Sequence, residues 1–407
     1  MIGSRRFKAA FSPTVDCAIL VVALEKGFAA DEGIGLELIR KNSAQEIMSD
    51  WADEGLNGAH LPASLPVASA LGLLEEPGDL VSPFVLSTGG AVLAVSQILH
   101  DDLFEQGMKI PDAGSVSRAL SRVALARNAA ELPPLTFAIE HVFSPSVYEL
   151  RYLLASARLL SPRDVTIIET APADMPGLLA EGVIDGFYVA EPYGSAVALR
   201  DSGRVVTTKS HIWQNAPEKV LAVSRGWIAD NEATLHALLR ALYHAGEWCA
   251  AQGNIEELAG LLAAPQYLAT EGDLVLPALT GFIPHSPSRL IECPRFFATS
   301  GGAANFPWQS QALWFFNQMI RWGDCHADYL TDVSAYEAAS QAYRPDIFRS
   351  AMRPIFAPVP SANMKLEGTL HVPVHVGASR SSLLLGPDAF FDGKIFDPEK
   401  LENYDES

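Results

Sequence analysis

The sequence predicts an α/β protein of two lobes, one inserted into the other and joined by two crossing strands. Three observations predict it. Strand-like apolar runs alternate with helix-like runs from residue 7 onward, the pattern of sheets with helices on both faces. That alternation restarts near Val92 and resumes near Val220, so a second βα unit interrupts the first. A chain of 407 residues suits two or three domains at roughly 150 residues each. The expected division places residues 1–92 and 218–407 in one lobe and residues 93–217 in the other. The first lobe then carries a helical and irregular C-terminal extension.

The elements follow in order. Residues 8–11 read as a strand, and Ser12-Pro13-Thr14 as a turn. Thr14 or Asp16 can cap a helix over 18–26, which is apolar on nearly every face and therefore buried. A second strand over 36–39 completes a βαβ opening and predicts a parallel sheet. Helices are expected over 44–51 and 64–74, with Gly58-Ala59-His60 between them. Strands over 83–86 and 92–95 flank Thr88-Gly89-Gly90. The middle unit reads helix 116–127, strand 136–139, helix 147–159, strand 165–169, helix 175–181, strand 186–189. Strands over 205–207 and 220–223 stand on either side of a crossing. Beyond Asp230 the chain reads as mostly helical, over 231–251 and 309–321. It becomes Pro-rich from 357 and irregular from Phe390.

Composition excludes several functions. With 29 basic and 48 acidic residues the net charge is −19, which argues against direct nucleic-acid binding. An anionic ligand would need a site that is locally positive against that field. No apolar run approaches the ~20 residues of a membrane-spanning helix. The opening Met1-Ile2-Gly3-Ser4-Arg5-Arg6 lacks the apolar core of a secretory leader. The expectation is a cytoplasmic protein, unless a leader has been removed. Cys17, Cys249, Cys293 and Cys325 are scattered without a CxxC pair. They give no zinc signal and fit a reducing compartment. No GxSxG, HExxH or GxxxxGK[ST] motif occurs, and no cofactor is expected. His60, His141 and Glu191 could still form an acid–base set, which keeps a small-metabolite enzyme open as an alternative.

The opening FSPTVDCAILVVALEKGFAADEGI is followed by NGAHLPASLP (57–66), LSTGGAVLAVS (86–96) and HVFSPSVYELRYLLASA (141–157). GVIDGFYVAEPYGSAV (182–197), IWQNAPEKVLAVSRGW (212–227), ANFPWQSQALWFFNQMIRWG (304–323) and FFDGKIFDP (390–398) complete the series. In this order the chain resembles the nitrate- and bicarbonate-binding proteins of the ABC-type solute-binding class, and most of all their cytoplasmic nitrate/nitrite-sensor relatives. The resemblance implies a periplasmic-binding-protein type II fold with a ligand in the interlobe cleft. It implies nitrate or nitrite as the ligand and an RNA-binding antiterminator as the regulatory partner. The alternative is the substrate-binding component of an ABC transporter for nitrate, bicarbonate or a related solute, with a membrane permease as partner. Leu61, Thr88, Gly89 and Gly90 depart from the nitrate-binding pattern and leave the ligand open among these.

The resemblance places His60, Gly89, Gly90, His141, Glu191 and Lys219 at the cleft, with Lys219 and His141 on the oxyanion. The chemistry is coherent. Lys219 brings the site's one full charge and three donors, His141 one donor or two, and two glycines let backbone N–H groups approach closely. Each has a plainer reading. His60 could be a satisfied core histidine, His141 a helix cap, Lys219 a strand-edge lysine and Glu191 part of a turn. Asp16 reads most simply as a helix-terminal charge, and Cys17 as a packed hydrophobe. Phe306, Trp308, Trp314, Phe315, Phe316 and Trp322 read as core, and Arg151 and Tyr152 as braces of the middle lobe.

Overall fold

The computed structural model describes residues 5–378 and 382–403, so the reading of Met1 to Ser4 lies outside it. The strands, in chain order, are β1 (Arg5–Phe11), β2 (Ile34–Arg40), β3 (Gly58–Pro62), β4 (Leu80–Gly89), β5 (Ala91–Val95), β6 (Leu135–Ile139), β7 (Val165–Glu169), β8 (Gly186–Ala190), β9 (Arg204–Thr208) and β10 (Pro217–Ser224). After them come β11 (Phe282–Ser286), β12 (Arg289–Glu292), β13 (Phe297–Ala298), β14 (Val374–Gly377) and β15 (Ser382–Leu385).

Two main sheets form. The first lobe carries the order β13-β4-β10-β3-β1-β2 and the second the order β7-β6-β8-β5-β9. Neither sheet is wholly parallel. β10 runs antiparallel to both β3 and β4, and β5 antiparallel to both β8 and β9. Each reversed strand is the first one after the chain has crossed from the other sheet. A strand that enters from the junction must run outward, while its neighbours end there.

Burial explains the elements. Helix Ala18–Glu25 is buried over its first six residues, as its apolar sequence requires. Helix Leu65–Ala70 is shorter than the predicted 64–74 because Gly72 turns the chain at φ +71°. The long helix Arg225–Ala250 joins two segments at a kink, where Asn231 has φ −131° and its side-chain amide donates to the Trp227 carbonyl. The late strands interrupt a region that reads as helical. β13 joins the first sheet as a two-residue edge, and β11–β12 and β14–β15 are separate hairpins.

The C-terminal extension binds the second lobe. Helix Pro145–Ser156 presents Tyr148 and Arg151 to Asp324, at 3.0 and 3.2 Å, and Tyr152 to Asp392 at 2.8 Å. Arg151 and Tyr152 therefore brace the middle lobe against residues of the extension rather than within itself. Trp213 stacks on Phe390 at 4.9 Å and packs at a tilt against Trp314 at 4.6 Å. The aromatic residues of helix Gln309–Arg321 are core, as their spacing predicts.

Candidate functional site

The loops that follow β1, β6 and β8 meet where the two sheets face each other. The Val15 amide donates to the Glu191 carbonyl at 2.8 Å. Tyr193 Oη donates to the Pro13 carbonyl at 2.9 Å, and His141 Nε2 meets Gln45 Oε1 at 3.3 Å. These contacts join residues from before Gly89 to residues of the inserted lobe.

Between them lies a buried polar centre. Lys219 Nζ hydrogen-bonds Glu140 and lies 3.4 Å from Glu218 Oε1. Lys209 Nζ hydrogen-bonds Glu149 and lies 2.9 Å from Glu218 Oε2. Tyr188 Oη donates to Glu149 at 2.6 Å. On the other flank, Ser12 Oγ reaches Glu140 at 3.4 Å and His60 Nδ1 at 3.5 Å. His60 Nε2 is 2.9 Å from Asp16 Oδ1, close enough for an ion pair but off the line of a hydrogen bond. Thr14 Oγ1 donates to the same Asp16 oxygen. Asp16, His60, Glu140, Glu149, Lys209, Glu218 and Lys219 are all buried. Asp16 Oδ2 and Ser87 Oγ have no hydrogen-bond partner among the described residues. Ser87 pairs with Lys219 in the β4–β10 ladder, and register shifts on both sides of Lys219 mark a local bulge. Bulges of this kind re-aim side chains next to functional sites.

Electrostatics fix the protonation states. Burial opposes charge on Lys219, but the carboxylates of Glu140, Asp16 and Glu218 outweigh it and raise its pKa. Lys209 is raised in the same way by Glu149 and Glu218. Burial would raise Asp16, yet the charges of His60 and Lys219 bring it below the usual carboxylate range. Glu149 is pushed up to about 7 by burial, against the pull of Lys209. His141 is pushed down to about 4, first by burial and then by Lys219. It is neutral at pH 7, and its Nδ1 accepts from the Phe143 amide at 3.0 Å, which leaves the proton on Nε2.

Of the predicted residues, His60 and Lys219 stand in the centre, while His141 lies beside it with its ring nitrogens bound to Gln45 and the Phe143 amide. Glu191 is at the junction, but its carboxylate is held by its own helix, by the Ser195 amide at 2.9 Å and hydroxyl at 3.0 Å. Burial pushes it up to about 7. Gly89 and Gly90 take φ +71° and +84°. Their amides are committed to the Ala216 and Phe296 carbonyls, at 2.9 and 2.6 Å, so they are not the open donors that glycine there suggests. Lys219 is not the only cation, because Lys209 shares Glu218 with it.

Sequence reasoning missed Ser12, Glu140, Glu149, Lys209 and Glu218. Glu140 and Glu218 each directly precede a residue already singled out. Lys209 and Glu149 stand 60 residues apart, and no local pattern links them. Ser12, His60 and Asp16 share the composition of a nucleophile triad. Here, however, the serine sits at the hydrogen-bond limit from Nδ1 and is also aimed at Glu140.

Comparison with known proteins matches the chain to one family, to several relatives and to a solved structure. Residues 3–263 match the family described as NMT1-like. The nitrate import ATP-binding protein NrtC of Synechocystis is 30% identical over 400 residues, covering 97% of this chain and 54% of that protein. The bicarbonate transport ATP-binding protein CmpC of the same organism is 32% identical over 77% of this chain and 45% of its own length. The chain thus spans about half the length of these two relatives. The nitrate/nitrite binding protein NrtA of Nostoc is 24% identical over 99% of this chain and 85% of its own. Among solved structures, the periplasmic nitrate-binding protein NrtA of Synechocystis PCC 6803 superposes with a TM-score of 0.85 at 21% identity, over 100% of this chain and 98% of that one. That likeness shows the periplasmic-binding-protein fold.

Proposed function

Because the chain belongs to the NMT1-like family, we propose that it is a solute-binding protein acting as the capture component of an ABC-type import system. Its ligand is a small oxyanion that carries its own proton, bicarbonate before nitrate or nitrite. The transport role rests on the names of relatives that match most of this chain. A sensor acting on an antiterminator would use the same ligand step and differ only in what the closed lobes touch.

One observation carries the ligand class: Asp16 Oδ2 is buried without a partner among the described residues, in a centre whose two lysines are already matched by carboxylates. An ionised carboxylate accepts hydrogen bonds and donates none. Nitrate also only accepts, so against Asp16 it adds repulsion. Bicarbonate brings an O–H for Asp16 and oxygens for Lys219, His60 and Ser87. Because every group of the centre is buried, the ligand enters only when the lobes part. Its contacts with both lobes then favour closure.

Calorimetric titration at pH 8 tests this with bicarbonate, nitrate and nitrite. Bicarbonate should bind at least tenfold more tightly than nitrate. Asp16→Asn and Lys219→Ala should each weaken it by about 10- to 150-fold, the equivalent of the ~1.5–3 kcal/mol of a hydrogen bond to a charged group. Nitrate binding as tightly as bicarbonate would overturn the ligand assignment. Undiminished bicarbonate affinity in both variants would overturn the site.

A further inference from the structure

A cavity of about 260 Å³ lies in the first lobe beside the chain crossings. Thr88 at the end of β4 and Asn215 just before β10 both line it. The interlobe groups Asp16, His60, Glu140 and Lys219 do not.

Its lining is built for a ligand with one charged end. The Arg295 guanidinium makes no ion pair or hydrogen bond among the described residues, and it stands at the rim, 3.7 Å from the position a Cβ on Gly386 would take. Lys365 and Asp388 also line the cavity, but they are spent on each other, on Glu367 and on the Gly368 and Leu370 amides. Arg295 is therefore the unspent charge. Deeper in, Gln311 is 6% exposed and Thr88 4% exposed. Neither side chain has a hydrogen-bond partner among the described residues, and both line the cavity, which leaves their polar atoms free for a ligand. The walls between are flat and apolar, from Phe297 and the buried indole of Trp308.

We infer that this cavity is a second ligand site, taking a small planar organic carboxylate with a hydroxyl at its far end. The carboxylate pairs with Arg295 in the two-pronged geometry that a guanidinium favours. The ring lies against Trp308 and Phe297. The hydroxyl meets the Gln311 amide and the Thr88 hydroxyl. The volume falls just below the roughly 300–1,000 Å³ of organic-ligand pockets, and so suits no more than a single ring.

The test is calorimetric titration of the full chain with benzoate and 4-hydroxybenzoate. Wild type should bind both, and 4-hydroxybenzoate more tightly. Arg295→Ala, at an exposed position, should weaken both by about 10- to 150-fold. Gln311→Leu should remove the preference for the hydroxylated probe and leave benzoate little changed. Asp16→Asn, in the interlobe centre, should leave both affinities unchanged. Failure of wild type to bind either probe at millimolar concentration would overturn the inference, as would unchanged affinity in Arg295→Ala. A parallel loss in Asp16→Asn would place the probe in the interlobe centre and overturn it equally.

Discussion

Replacing Glu191 by Gln should stabilise the protein in alkaline solution and do little in acid. Glu191 is fully buried, and burial raises its carboxyl from an ordinary 4.5 to about 7 despite the two bonds from Ser195. A carboxyl that holds its proton more tightly when folded than when unfolded makes folding less favourable as pH rises. The cost is absent below the unfolded value of 4.5, grows between 4.5 and about 7, and is constant above. A gap of this size corresponds to about 3 kcal/mol at 1.36 kcal/mol per unit. Glutamine keeps the shape, accepts from the Ser195 amide, donates to the hydroxyl and carries no charge at any pH. Urea denaturation of both proteins at pH 5, 6, 7 and 8 reads the effect. The stability of Glu191→Gln minus that of wild type should climb with pH and level off near 8. Other buried carboxyls such as Glu149 titrate alike in both proteins and cancel. A difference that is flat across the series would refute the reasoning, because it would mean that Glu191 ionises as freely when folded as when unfolded.

Three further outcomes follow from the same physical chemistry. Glu140→Gln takes from the buried Lys219 charge its tightest partner and leaves Glu218 at 3.4 Å; it should cost at most about 3–5 kcal/mol in denaturant unfolding, largely restored when Lys219→Met is added. Tyr152→Phe removes the bond to Asp392 and should lower unfolding free energy by about 1.5–3 kcal/mol, with lobe separation visible as a larger radius of gyration in solution scattering. Gly89→Ala should lose at least ~1–2 kcal/mol to left-handed strain alone, and more from a Cβ only 2.1 Å from the Phe296 carbonyl oxygen, seen as a lowered melting temperature.

The two-lobed architecture was legible because alternation of strand and helix is a local signal repeated many times. The chain changes sheet between β4 and β5 and again between β9 and β10. Strand direction was not legible, since nothing in the residues of β5 or β10 states which neighbours they will find. β13 was beyond reach because Phe297–Ala298 is too short to show a period. At the site, His60, His141 and Lys219 could be picked out through motif resemblance. Their setting could not, because it depends on partners distant in the chain: Glu140 with Lys219, Lys209 with Glu149, Asp16 with His60. Asp16 shows the limit well. Beside a helix start it reads as a terminal charge, and only the return of β3 next to β1 turns it into the partner of a histidine.

The place of β10 in the first sheet bears on the order in which the molecule can be assembled during synthesis. β3 and β4 share no edge until β10 lies between them. When residue 208 leaves the ribosome, the inserted sheet has all five of its strands. The earlier strands of the outer sheet still wait in two separate pieces, β1–β2–β3 and β4, with bare edges facing each other. A newly made chain therefore carries a complete inner sheet and a split outer one until residues 217–224 emerge to fill the gap. Those two open edges are the kind that pair with other chains, and they close only with the strand that also delivers Lys219 to the ligand centre.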